Sequence, residues 1–162
     1  MDTTINNDAQ ERVAALWDSY TPKLYGYLMN AVHDRTLADD LLQQTWMKAI
    51  ATIDRYEERG HGFGAYLFTI ARNECRQHWR KSGREVDLER AEHLPAPTTT
   101  PDDALEVERI LAYLSDDDRE LLRLRYIADL AVQDIARVLG ISVTATSVRI
   151  HRTLKRARKL SV

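Results

Sequence analysis

The chain has 162 residues, 44% of them hydrophobic and 30% charged, with a formal net charge of -2 at pH 7. No uncharged apolar run approaches the roughly 18 residues of a membrane span, and the single cysteine, Cys75, rules out an internal disulfide and fits a reducing compartment. Met1 to Gln10 is polar and acidic, without the basic-then-apolar layout of a signal peptide, so the expectation is a cytoplasmic protein with no membrane insertion.

Only six Gly and four Pro interrupt the chain, which favours long helices. The first block predicts three of them, at Gln10 to Val32, Thr36 to Asp54 and Phe63 to Lys81. In the second, Ala38, Leu42, Thr45, Trp46, Ala49 and Ile53 recur at spacings of three and four and form an apolar stripe. Asp39, Asp40, Gln43, Gln44 and Met47 fall on the opposite side, where a solvated face and a docking face are equally compatible with the pattern. The third helix points Tyr66, Leu67, Ile70 and Ala71 inward and turns basic toward its end, with Arg72, Arg76, Arg80, Lys81 and Arg84 against Glu74 alone.

Between the second and third helices, Asp54-Arg-Tyr-Glu-Glu-Arg-Gly-His-Gly-Phe63 has two glycines, two aromatics and several charges. It is longer than a plain helix connection of about two to eight residues. The expectation is a mobile loop with Tyr56 and Phe63 exposed, either functional or a solvated connector.

Residues 82–102 lose apolar periodicity and carry Pro95, Pro97, Thr98 to Thr100 and Pro101, the composition of a flexible linker. The chain is thereby divided into residues 10–81, the linker 82–102 and residues 103–162, an all-α arrangement of two small helical domains. The second block opens on a helix from Asp103 to Leu114. Ser115, with Asp118 three positions on, resembles a capping box opening a helix from Asp116 to Ile127. Val132, Ile135, Ala136 and Leu139 then follow the i, i+3, i+4, i+7 pattern, Gly140 can adopt the left-handed stop, and Ser142 can cap the next helix. Helix, glycine turn, helix is a helix-turn-helix.

Charge along this block is strongly segregated. Asp102 to Glu120 holds eight acids against Arg109 and Arg119, whereas Arg149 to Lys159 holds six basic residues and no acid. On the last helix Val143, Thr146, Ile150, Leu154 and Ala157 share one face, and Thr144, Val148, His151, Arg152 and Lys155 another. A recognition helix sets its N-terminal residues on base edges and later cations on phosphates. That makes Thr144, Val148, Arg149 and Arg152 candidates for reading bases, with Arg152 able to bond a guanine edge and Val148 to pack on a thymine methyl. A basic helix end favoured only by the helix dipole is the bland alternative, and the glycine turn between two amphipathic helices weighs against it.

Three motifs in order, Ala38-Asp-Asp-Leu-Leu-Gln-Gln-Thr-Trp46, Phe63-Gly-Ala-Tyr-Leu-Phe-Thr-Ile-Ala-Arg-Asn73, and Asp134-Ile-Ala-Arg-Val-Leu-Gly-Ile-Ser142 with Arg149-Ile-His-Arg152, resemble the sigma-70 family of bacterial transcription initiation factors. The absence of a third helical domain between the blocks makes the resemblance specific to its extracytoplasmic-function (ECF) group. The resemblance departs at Gln44, where the family often carries Glu, at Tyr66 in place of a frequent Trp, and across Thr144 to Val148.

The resemblance implies that residues 10–81 are region 2 and residues 103–162 region 4. Asp39, Asp40, Gln43, Gln44 and Met47 would then face the clamp helices of the RNA polymerase β′ subunit, with the β flap a further contact. Tyr56, His61 and Phe63 would stack on or line a pocket for unpaired minus-10 bases, a general use of aromatic faces. Arg72, Asn73, Arg76, Arg80 and Lys81 would run along the upstream edge of the melting DNA. Thr144, Val148, Arg149, His151, Arg152, Lys155 and Arg156 would engage the minus-35 duplex. Core polymerase, promoter DNA and an anti-sigma protein are the implied partners, and an acidic face on the second block would shield its reading helix until polymerase spreads the domains.

No catalytic residue, cofactor or metal is expected. The five histidines are scattered, and Cys75 with His78 gives two potential ligands, short of a zinc set. The competing reading is a helix-turn-helix transcriptional regulator, or a sigma-like decoy for an anti-sigma protein. The first block discriminates, since a simple regulator needs neither a polymerase face nor a base-capturing loop.

Overall fold

A computed structural model of the chain describes residues 2–53, 62–83 and 109–161, with side chains from residue 7 onward. The expected helix at Asp103 to Leu114 falls partly outside this range: residues 109–113 are helical and 103–108 are not among those described. The proposed linker, apart from Ser82 and Gly83, and most of the loop after the second helix also lie outside.

Every regular element among the described residues is helical. Helix α1 runs Asp2–Val32, α2 Arg35–Thr52 and α3 Phe63–Ser82. The start of α1 precedes the expected Gln10, because residues before it carry no apolar stripe to signal a helix. They extend an already nucleated one at one hydrogen bond per residue, helped by the Asn7 amide donating to Glu11 Oε1 four positions on at 2.9 Å. His33, with φ 52°, ends α1, and Asp34 starts α2 by accepting the Leu37 N–H at 3.1 Å.

The N-terminal unit closes over Leu24, Tyr27 and Leu28 of α1, Ala38, Leu41, Trp46 and Ala49 of α2, and Leu67, Phe68, Ala71 and Cys75 of α3. Two devices fix the helices against one another. Glu74, buried in α3, pairs with Lys48 of α2. At the other end Trp46 and Phe63 stack with centroids 6.1 Å apart, flanked by Trp17, Tyr20 and Tyr66.

In the C-terminal unit Ser115 accepts the Asp118 N–H at 3.2 Å and opens α4, Asp116–Leu122. The expected helix to Ile127 changes character at Arg123: Arg123–Ile127 is a π-helical turn, closed by the Ala128 N–H bonding to the Arg123 carbonyl at 3.0 Å. The chain then leaves through Asp129, at φ 55°. Helix α5 spans Val132–Leu139 and α6 Val143–Leu160.

The two units do not stand apart. Leu121, Leu124, Ala128, Leu130, Ile135, Val138 and Ile150 join the N-terminal apolar residues in one continuous buried cluster. Helix α3 packs along α5, and α1 packs on the π-helical turn.

Candidate nucleic-acid interface

The turn between α5 and α6 is built as the local chemistry requires. Gly140 sits at φ 68°, ψ 33°, the left-handed stop that any other residue type would strain. Ser142 then caps α6 by accepting the Ala145 N–H at 3.0 Å. Thr146, Ile150 and Thr153 are buried beneath α6, and the Thr146 hydroxyl donates to the Ser142 carbonyl at 2.9 Å. That seating turns Thr144, Val148, His151, Arg152 and Lys155 outward as one exposed strip, with Arg149 half-buried beside it. Val148 keeps 41% of its surface exposed, enough to meet a thymine methyl.

Arg156 is placed differently from its neighbours. Its guanidinium donates to Asp118 Oδ2 at 2.7 Å, tying α6 back to the first turn of α4. A phosphate contact from Arg156 would therefore have to compete with a carboxylate inside its own unit. Arg158 and Lys159 extend from the last turn of α6, where positive charge is favoured by the dipole.

On the N-terminal unit, Asp40, Gln43, Gln44 and Met47 follow the i, i+3, i+4, i+7 spacing of one helix face, and all four are exposed together with Asp39. Met47 is 71% exposed, and Ile50, one turn further along, 43%. The face is a polar strip that ends in apolar surface.

Helix α3 carries Asn73, Arg76, Arg80 and Lys81 exposed along its length. Arg72 is instead half-buried, 3.7 Å from a Glu120 carboxylate oxygen of the C-terminal unit. Tyr56 and His61 lie outside the described residues. Phe63 corrects the reading of an exposed loop aromatic. It is the first residue of α3, only 6% exposed and enclosed by Tyr20, Trp46 and Tyr66, so its ring serves the aromatic cluster rather than an incoming base.

Of the acidic segment expected to shield the reading helix, residues 102–108 lie outside the described residues; Asp118 holds Arg156 of α6, Glu120 meets α1 and α3, and the strip Thr144, Val148, His151, Arg152 and Lys155 is exposed. Lys48, Glu74, Tyr27, Asn30, Glu120 and Arg123 were not singled out from sequence. Only the i, i+3 spacing of Glu120 and Arg123 offered a local signal, and it says nothing of their distant partners.

Among the described residues there is no group of three or more His, Cys, Asp or Glu side chains able to hold a metal ion. No helix there is long and apolar enough to cross a membrane.

Residues 16–85 match the family model for sigma-70 region 2, and residues 104–156 match that for sigma-70 region 4. The RNA polymerase sigma factor CarQ of Myxococcus xanthus is 32% identical over 159 residues, covering 94% of this chain and 90% of CarQ. The ECF RNA polymerase sigma factor BldN of Streptomyces coelicolor is 29% identical over 154 residues, covering 90% of this chain and 58% of BldN, which is therefore the longer protein. Among solved structures, the sigma factor RpoE of Bartonella quintana, in complex with the anti-sigma factor NepR, is similar with a TM-score of 0.68 at 28% identity, covering 94% of this chain and 96% of that one. CnrH, in complex with the cytosolic domain of CnrY, is similar with a TM-score of 0.68 at 25% identity, covering 93% and 88%.

Proposed function

The chain belongs to the sigma-70 family of RNA polymerase sigma factors, in its ECF group, and from that premise we propose that it confers promoter recognition on core polymerase and helps open the duplex. Residues 10–81 act as the core-binding and minus-10 module, residues 103–162 as the minus-35 module, and residues 82–102 as the tether. The observation that carries this reading is the exposed strip Thr144, Val148, His151, Arg152 and Lys155 on a capped recognition helix, in one chain with the exposed face Asp40, Gln43, Gln44 and Met47.

Binding does the work and no bond is made or broken by the protein, so it is not an enzyme. Arg152 and Val148 read base edges and Lys155 and Arg158 meet phosphates, the usual division between specifying and positioning contacts. Asn73, Arg76, Arg80 and Lys81 follow the backbone of the melting strand, joined by Arg72 once it is free, while Tyr56 and His61 belong to the loop that receives unpaired bases. The α2 face docks on the β′ clamp helices, and the C-terminal unit on the β flap. An anti-sigma protein holds the factor in reserve, as CnrY and NepR accompany similar chains. The site of action is the cytoplasm, where the DNA is.

The test is run-off transcription from pooled genomic fragments with core polymerase and this protein. Specific starts that depend on the protein are expected. Failure to bind core polymerase would sink the proposal and leave a DNA-binding regulator in its place.

A further inference from the structure

Helix α2 ends without the usual stops. Ile53, its C-cap, is still right-handed at φ -61° and ψ -31°, no basic side chain lies in its last turn, and no glycine follows before Gly60. Helix α5, by contrast, is closed by the left-handed Gly140. The Ile53 N–H bonds to the Ile50 carbonyl, one residue short of the regular i−4 partner. The carbonyl of Ala49 is thereby left without its helical donor, and a helix end needs such groups satisfied from elsewhere.

The missing donor comes from α3. The Tyr66 hydroxyl, in the first turn of that helix, donates to the Ala49 carbonyl at 3.2 Å and meets the Thr52 hydroxyl. Thr52 gives its own proton to the Lys48 carbonyl at 2.8 Å. A hydroxyl has one proton, so the Tyr66 proton is the one directed at α2, shared between Thr52 Oγ1 and the Ala49 carbonyl. Burial raises the Tyr66 phenol above its ordinary 10.0, which keeps that proton in place at neutral pH.

Apolar contacts beside this bond hold the two helices together without fixing their register. Trp46 stacks on Phe63, and the Phe63 and Tyr66 ring centres are 5.6 Å apart. Such burial is non-directional, whereas a hydroxyl bond demands a set distance and angle. Tyr66 therefore decides where α2 stops and how the first turn of α3 is set against it.

We propose that Tyr66 and Thr52 are positioning residues for minus-10 recognition: the Tyr66 hydroxyl caps α2 from α3 and so fixes both stems of the base-receiving loop. The inference rests on the reading of that loop as the minus-10 reader. A loop that orders itself on binding loses affinity to the ordering, and stems fixed in advance reduce that cost. One departure from the sigma-70 pattern thereby gains a role. Where the family frequently carries Trp, the phenol sets a donor within reach of Ala49 and Thr52.

Two measurements on the full chain test it. The first uses core polymerase and one promoter fragment recovered from pooled genomic run-off, with versions scrambled at minus-10 or at minus-35. Tyr66→Phe should lower the preference for the intact fragment over the minus-10 scramble about fivefold, the worth of one hydrogen bond. Its preference over the minus-35 scramble and its competition for core polymerase should not change. Thr52→Val should act in the same direction, Thr52→Ser should match the wild type, and Tyr66→Phe/Thr52→Val should lose no more than Tyr66→Phe alone. General loosening of the fold would lower both preferences together; that result, or an unchanged minus-10 preference, overturns the proposal. The second measurement is amide hydrogen exchange of the free protein. In Tyr66→Phe the amides of Ala51, Thr52 and Ile53 should exchange about fivefold faster, with those of Leu41 and Leu42 unchanged. Equal exchange at the end of α2 overturns the cap. No transcript from the wild type would sink the sigma reading and the role in recognition with it, whereas a transcribing wild type beside an indifferent Tyr66→Phe sinks the role alone.

Discussion

Leu130 lies over Gly64 so closely that a Cβ on Gly64 would stand 2.9 Å from Leu130 Cδ2 and 3.3 Å from the Tyr20 ring. The first turn of α3 meets the segment entering α5 only because that side chain is missing. An alanine favours an isolated helix over glycine by up to about 1 kcal/mol, whereas overpacking against Leu130 costs about 1–3 kcal/mol. Gly64→Ala should therefore loosen the packing of Leu130 on α3, with faster limited proteolysis and undiminished helical content. Unchanged proteolysis would mean that Leu130 swings aside at no cost.

The Tyr27 phenol gives the fold a pH dependence. Its burial, and next the Glu120 carboxylate, push its pKa well above the ordinary 10.0, with Cys75 adding and Arg123 opposing. Unfolded, the phenol loses its proton near 10.0; folded, it keeps it to higher pH. The unfolded chain thus binds fewer protons above that point, so this contribution is whole below 10.0 and is lost as pH rises beyond it. Tyr27→Phe should flatten the alkaline fall in urea midpoint. At neutral pH it should cost about 1.5–3 kcal/mol, the worth of a hydrogen bond to a charged group. An unchanged alkaline slope would remove Tyr27 as its source.

How far the sequence reached depended on the range of each interaction. Gly140 and Ser142 announce their roles within four residues, so the helix-turn-helix was legible to the residue. The α2 face was legible because burial of Ala38, Thr45, Trp46 and Ala49 fixes which side Asp40, Gln43 and Met47 occupy. Phe63 was not. A loop-end aromatic looks exposed until Tyr20 and Trp46, from two other helices, enclose it. Glu120 was illegible for the same reason in polar form, its Tyr27 partner being 93 residues away. The π-helical turn at Arg123–Ile127 left no periodicity signal, since it adds a single residue to an otherwise regular helix.

Three of the four arginines of α6, Arg152, Arg156 and Arg158, should behave as three kinds of residue. Arg152→Ala should cost about 1–3 kcal/mol at one base position. Arg158→Ala should weaken cognate and scrambled duplex alike and lower the salt slope by about one. Arg156→Ala should act mainly on stability, because Asp118 is left buried without its partner. With Arg156 itself 61% exposed, about 1–2 kcal/mol is expected, below the figure for a fully buried pair. Binding isotherms against salt, with thermal melts of each variant, separate the three. Equal losses on cognate and scrambled DNA for Arg152→Ala would refute base readout.

On α2 the largest single loss of polymerase affinity should come from Met47 rather than from the polar residues around it. Met47 is 71% exposed, one turn before Ile50, which shares an apolar depression with Trp17, whereas Asp40, Gln43 and Gln44 offer rim-type contacts that trade one set of hydrogen bonds for another with water. Interface energy concentrates in apolar anchors that a polar rim shields from water. Met47→Asp should therefore weaken core binding at least tenfold, about 1.4 kcal/mol. Asp40→Ala with Gln43→Ala should weaken it less, and the difference should shrink as salt screens the lost charge. Each variant keeps the buried face of α2 intact, so helical content should not change. Competition against labelled wild type for core polymerase measures both effects, and a Met47→Asp protein that competes as well as the wild type would move the docking surface off this face of α2.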